Sequence, residues 1–157
     1  MLLSALLGIM KLKKGINLFL VVCAPGGHLT VARELFRDAN MDVQFVLTAR
    51  SKASQTDKNA IYVTESNRDW RLIVQFFQSL KIIFSIKPKA IISTGAGVAI
   101  PFFIWAKLFK IKTIFVESAS RTKSLSWSGA IAYTFVDRSY VRNKSLSIKY
   151  PKAVYCE

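Results

Sequence analysis

Short apolar runs alternate along this chain with longer segments of helical character, and Gly, Pro and polar clusters separate them. The runs Ile16–Cys23 (INLFLVVC), Asp42–Thr48, Ala60–Thr64, Ala90–Thr94 and Lys112–Val116 have the length and the β-branched content of strands. The unbroken hydrophobicity of Ile16–Cys23 marks a strand covered on both faces. Between them Leu29–Ala39, Asp69–Ile86 and Val98–Phe109 read as helices, and Asp69 is a plausible N-cap. Ser126–Phe135 reads as a further helix, Arg138–Val141 as a strand and Lys144–Tyr150 as a final turn or helix. Strands alternating with helices predict an α/β fold with a doubly wound, mostly parallel, Rossmann-like sheet.

The stretch Ala90–Arg121 (AIISTGAGVAIPFFIWAKLFKIKTIFVESASR) carries the organisation most plainly. It reads as strand, glycine turn, apolar helix, strand and polar loop, with Pro101 in the first helical turn where a missing N–H costs nothing. Such a βαβ unit is right-handed. Ligands of open α/β sheets bind beyond the carboxyl ends of the strands. That rule places Gly95, Gly97, Glu117, Ser118 and Arg121 on the working edge.

Composition narrows the partners. The 157 residues suffice for one domain with a real core. They carry 23 Lys and Arg against 9 Asp and Glu, a net charge of +14, together with 52% apolar residues. A basic chain seeks a polyanion, but nucleic-acid binders of this charge are usually polar. Basic and apolar together favour an anionic membrane surface and no nucleic acid. Met1–Met10 is apolar but too short to span a bilayer, and Lys11, Lys13 and Lys14 follow it. Residues 1–14 therefore read as a short membrane-associating segment and 15–157 as the domain proper. Charges ahead of the apolar stretch and a small-residue cleavage site, the marks of a signal peptide, are missing. The helix Val98–Phe109 is either a buried core helix or a membrane contact. Its near-total lack of polar positions favours the second, through Phe102, Phe103 and Trp105 with Lys107 and Lys110 reaching lipid phosphates. Cys23 and Cys156 show no metal or disulfide spacing, so a reducing compartment is the default.

Candidate chemistry sits in the two glycine turns. Gly26, Gly27 and His28 follow the first strand and open a helix, where backbone N–H groups suit an anion. His28 is the single histidine, and it is either structural or, on this edge, a base for a substrate hydroxyl, while the neighbouring glycines let the backbone approach a diphosphate. A dinucleotide fingerprint would need further glycines and an acidic residue after the second strand. The second strand is instead followed by Arg50, which leaves a small NADP-binding oxidoreductase as a minor alternative. Glu117 either pairs with Arg121 or a lysine, or hydrogen-bonds sugar hydroxyls. No metal motif is visible, and no cofactor is called for.

Taken together, the loop ending in Gly26-Gly27-His28, the turn Ser93-Thr94-Gly95-Ala96-Gly97, Phe115-Val116-Glu117-Ser118 with Arg121, and Ser124-Leu125-Ser126 with Gly129 resemble an Alg-type membrane-anchoring subunit of split glycosyltransferases. The PssD/CpsF-like proteins of capsule and exopolysaccharide synthesis are its bacterial counterparts. A more distant similarity is to the N-terminal half of the transferase that adds N-acetylglucosamine to lipid I. The resemblance implies the acceptor-binding, N-terminal half of a GT-B enzyme that works only with a separate nucleotide-sugar-binding catalytic subunit. It implies a polyprenyl-diphosphate-linked sugar as acceptor, at the cytoplasmic face of the cell membrane, in a peripheral or monotopic protein. Carried over residue by residue, His28 is the catalytic candidate, as base or as acceptor-diphosphate contact. Gly26, Gly27, Gly95, Gly97, Glu117, Ser118 and Arg121 become the acceptor-binding set. The other function class is a non-catalytic membrane scaffold.

Overall fold

The computed structural model describes residues 18–39, 41–49, 57–67 and 69–156. The expected membrane segment 1–14 and Arg50 lie outside them. β1 (Leu18–Cys23) leads into α1 (Gly27–Phe36), then β2 (Asp42–Ala49) and β3 (Ile61–Thr64). α2 (Arg71–Ile86), β4 (Ala90–Ser93), α3 (Ala99–Leu108) and β5 (Lys112–Val116) follow. The chain continues through α4 (Trp127–Phe135), β6 (Arg138–Val141), α5 (Lys144–Lys149) and β7 (Ala153–Tyr155). The strands form one sheet in the order β3-β2-β1-β4-β5-β6-β7. Every pairing is parallel.

The period of a strand explains the two cores. Phe19, Val21 and Cys23 point to one face of the sheet, where Ala32 and Phe36 of α1 cover them. Leu20 and Val22 point to the other, where Ile83 of α2, Phe102 and Phe103 of α3 and Ala132 of α4 close over them. A third, smaller cluster of Leu125, Val141, Leu146 and Ala153 seals the far end. β1 pairs with β4 through Phe19–Ala90, Leu20–Ile91 and Val21–Ile92. The strand order reverses between these two strands, which opens a crevice above their carboxyl ends.

Two helices differ from expectation. Phe102 and Phe103 are fully buried, Phe103 with its ring 6.3 Å from that of Phe115, so neither contacts a membrane. The sheet, α2 and α4 pack against the face of the helix that carries Phe102 and Phe103, while Ile104 and Leu108 lie on its exposed edge. Trp105 is half-buried too: its Nε1–H donates to the Phe76 carbonyl at 2.9 Å, and its ring stacks on Phe109. Lys107 and Lys110 are exposed. In α2 the buried face holds Gln75 and Ser79. The Gln75 and Gln78 amides knit this helix to β3, Gln75 Nε2 donating to the Thr64 carbonyl and Gln78 Oε1 accepting from the Thr64 N–H.

Candidate functional site

The strand reversal brings together two turns that are far apart in sequence. Gly26 (φ 89°) turns the chain out of β1 and into α1, while Gly95 (φ 123°) and Ala96 (φ 78°) turn it out of β4. Two hydrogen bonds lock the turns to each other. Thr94 Oγ1–H donates to the His28 carbonyl at 2.7 Å, and His28 Nδ1 lies 2.8 Å from the Thr94 carbonyl. A carbonyl can only accept, so this contact puts the proton of the neutral ring on Nδ1 and leaves Nε2 with an open lone pair.

Gly95 is needed for that arrangement. A Cβ there would stand 2.4 Å from His28 Cε1 and 2.6 Å from Nδ1, and the positive φ disfavours any side chain. Ser93 Oγ pins the turn by donating to the Gly95 carbonyl at 3.0 Å. Gly95→Ala is expected to cost roughly 1–3 kcal/mol of stability and to displace the imidazole. Denaturant unfolding and the His28 ring resonances would check this, and an unmoved ring would overturn it.

The third wall comes from β5 and α4. Glu117 follows β5 with 1% of its surface exposed and lies against the N-terminus of α4. Its Oε1 accepts from the Ser118 N–H at 3.0 Å. Its Oε2 accepts from the Ser126 N–H at 2.8 Å and from Ser126 Oγ–H at 3.0 Å. Ser126 Oγ in turn accepts from the Gly129 N–H at 3.0 Å and caps α4. Glu117 therefore ties off the loop 118–126 and does not pair with Arg121. Among the described residues no carboxylate forms an ion pair with Arg121, which is exposed on the cleft wall.

These walls enclose a cleft of about 770 Å³. One end is polar, with His28, Glu117, Ser118, Ser120, Arg121 and Ser126. The other is apolar, with Leu72, Phe76, Ile100, Pro101, Ile104 and Trp127. Of the expected site, His28, Gly97, Glu117, Ser118 and Arg121 share the lining; Gly26, Gly27 and Gly95 lie in the turns outside it. In the sequence Ser126 and Gly129 stand only as part of the family motif with no role at the site, and nothing there singles out Trp127. The Ser126 cap in front of an apolar helix was a readable signal, whereas the apolar end depends on packing between α2 and α3. Burial pushes the Cys23 thiol up to about 12, so the cysteine that ends β1 is no nucleophile.

The fold and its crevice define the class, a Rossmann-like α/β domain of the GT-B type. MurG of Acinetobacter baumannii shares the fold with a TM-score of 0.61 at 15% identity, over 78% of this chain and 40% of that one. UDP-N-acetylglucosamine 2-epimerase of Rickettsia bellii does so with a TM-score of 0.68 at 13% identity, over 90% and 44%. The chain belongs to the family described as "Oligosaccharide biosynthesis protein Alg14 like", which matches residues 62–157. It is 34% identical over 83 residues to the UDP-N-acetylglucosamine transferase subunit ALG14 of Homo sapiens, covering 49% of this chain and 38% of that protein. It is 38% identical over 73 residues to the subunit of the same name from Schizosaccharomyces pombe, covering 43% and 35%. The matched stretch thus spans less than two fifths of either relative.

Proposed function

We propose that this chain is the acceptor-binding subunit of a two-component glycosyltransferase at the cytoplasmic face of a membrane. Its product would be a lipid-linked oligosaccharide or a capsular or exported polysaccharide. The observation that carries the reading is the two-ended cleft, which is shaped for an amphiphile. An apolar end suits a polyprenyl chain, and Arg121, which pairs with no carboxylate among the described residues, suits its diphosphate. The open Nε2 of His28 suits a sugar hydroxyl. A partner chain supplies the nucleotide sugar, for which the names of the relatives point to UDP-N-acetylglucosamine.

In this reading the acceptor hydroxyl oxygen attacks the anomeric carbon of the donor sugar as its bond to the diphosphate breaks. UDP leaves, and the hydroxyl proton passes to His28 Nε2. The Thr94 carbonyl holds the imidazole in the tautomer that can take it. Because the cleft holds only the acceptor side of this reaction, the purified chain is expected to transfer no sugar. Co-expression with its partner is expected to give transfer to a prenyl-diphosphate-linked sugar, read by radiolabel from the nucleotide sugar. Transfer by the single chain would overturn the two-component reading. Undiminished transfer by a complex carrying both His28→Ala and Arg121→Ala would reduce the chain to a scaffold.

A further inference from the structure

We infer that Trp127 is the platform on which the acceptor sugar lies. Its indole stacks against the C–H face of a pyranose, while Ser118 and Ser120 meet the hydroxyls around the rim. The inference rests on the acceptor-binding reading proposed above. It deepens that reading by naming what holds the sugar, as distinct from the diphosphate and the prenyl chain.

The first observation is where the indole stands. Of the three tryptophans, Trp127 alone lines the cleft. Trp105 is engaged inside the protein, through its bond to the Phe76 carbonyl and its stack on Phe109. Trp127 is 49% exposed, a large aromatic surface presented on a concave wall. It also marks the border between the two ends of the cleft. Its neighbour Ser126 belongs to the polar end, and its side chain opens the apolar one. A Cβ on Gly97 would sit 3.9 Å from Trp127 Cζ3, an ordinary contact distance. The indole therefore lies beside the turn 95–97, whose Gly95 abuts the His28 imidazole. A sugar that brings a hydroxyl within reach of His28 Nε2 passes next to Trp127.

The second observation is that the platform is fixed. Trp127 opens α4, and the Ser126 that caps this helix is held by two hydrogen bonds to the buried Glu117 carboxylate. A side chain set on such an anchored helix end keeps its place without a ligand.

The third is the chemistry around it. A pyranose carries C–H groups on its faces and hydroxyls on its rim. The C–H groups are weakly positive and an aromatic face is negative, so the two attract. Glu117 does not serve the rim, because its buried carboxylate already accepts three hydrogen bonds from Ser118 and Ser126. Ser118 Oγ and Ser120 Oγ lie 2.9 Å apart on the cleft wall, and each hydroxyl can both donate and accept. A prenyl chain has no use for such hydroxyls, and it finds an aliphatic wall at Leu72, Ile100 and Ile104.

Trp127→Leu keeps an apolar side chain but removes the aromatic face, whereas Trp127→Phe keeps a smaller face. The position is half-exposed, so both variants are expected to fold, as unfolding midpoints would verify. The ligands are geranylgeranyl diphosphate, bare and carrying glucose, galactose or N-acetylglucosamine on its terminal phosphate. Calorimetry with the full chain is expected to show the tightest-binding sugar conjugate weakened about tenfold by Trp127→Leu and about threefold by Trp127→Phe. The bare diphosphate should bind all three proteins alike. The conjugate should also perturb wild-type tryptophan fluorescence, and Trp127→Phe should abolish that change. In the assembled two-chain enzyme the loss should appear in the KM for the acceptor with kcat nearly unchanged. Equal weakening of the bare and conjugated ligands would make Trp127 part of the prenyl wall and overturn the inference. So would a raised KM for the nucleotide sugar in place of the acceptor, which would make the indole a donor contact. Undiminished conjugate binding by Trp127→Leu would overturn it while leaving the acceptor reading intact. Wild-type protein that binds none of the four ligands would end the acceptor reading itself, and the inference with it.

Discussion

His28→Ala is expected to lower turnover by the assembled two-chain enzyme by about 10²–10⁴-fold, the usual contribution of a positioned general base. Complex formation should survive, because the ring makes one described hydrogen bond, to the Thr94 carbonyl, worth roughly 1 kcal/mol. His28→Asn sharpens the test. An amide N–H at the position of Nδ1 can keep the bond to Thr94 while offering no base where Nε2 stood. Stability should then return without turnover. The kinetic pattern separates the two roles that the sequence alone left open for this residue. A loss confined to kcat assigns Nε2 to proton removal. A raised KM with unchanged kcat would make His28 a ligand of the acceptor and overturn its role as base.

The placement of this histidine was legible in the sequence only in part. Apolar runs located β1 to β6 to within a few residues, because strands buried on both faces leave little room for polar positions. The glycines and the carboxyl-edge rule then put residues 26–28 and 95–97 on one side of the sheet. That His28 and Thr94 touch follows from β1 lying beside β4, a long-range fact no local pattern carries. β7 was missed because it is three residues long, with Val154 and Tyr155 largely exposed. The greasy helices misled for a physical reason. Hydrophobicity shows that Phe102 and Phe77 both avoid water, but not which of them has protein to avoid it with. Phe102 lies inside the core and Phe77 outside it. The first turns of α2 turn polar residues inward, since Gln75 and Gln78 satisfy the end of β3 where an apolar residue could not, while Ile83 further along packs in the core. Glu117 shows the same limit at the site. The nearby Arg121 suggested an ion pair, whereas the actual partner, Ser126, arrives only when α4 folds back against β5.

Gly129→Ala is expected to destabilise the domain by roughly 2–4 kcal/mol, far beyond the slight gain this exchange usually brings in a helix. The added Cβ would lie 2.1 Å from Glu117 Oε2 and 2.9 Å from Ser126 Oγ. Neither atom can yield cheaply, because Oε2 already accepts two hydrogen bonds and Ser126 Oγ both donates to it and caps the helix. Glu117→Gln probes the same cluster with little change in volume. Three donors converge on two carboxylate oxygens, and an amide offers a single oxygen. One face of the substituted side chain must then set an N–H against another N–H, at a cost of roughly 1–3 kcal/mol. If Glu117 is what Gly129 makes room for, then Glu117→Ala removes the atom that the new Cβ strikes. The Glu117→Ala/Gly129→Ala double variant should accordingly be less destabilised than the sum of its parts, by more than the few tenths of a kcal/mol typical of independent sites. Denaturant melts of the four proteins measure this directly, and strict additivity would refute the coupling. The same cluster holds the loop that carries Arg121, so each destabilising variant should also raise the KM for the diphosphate-linked acceptor.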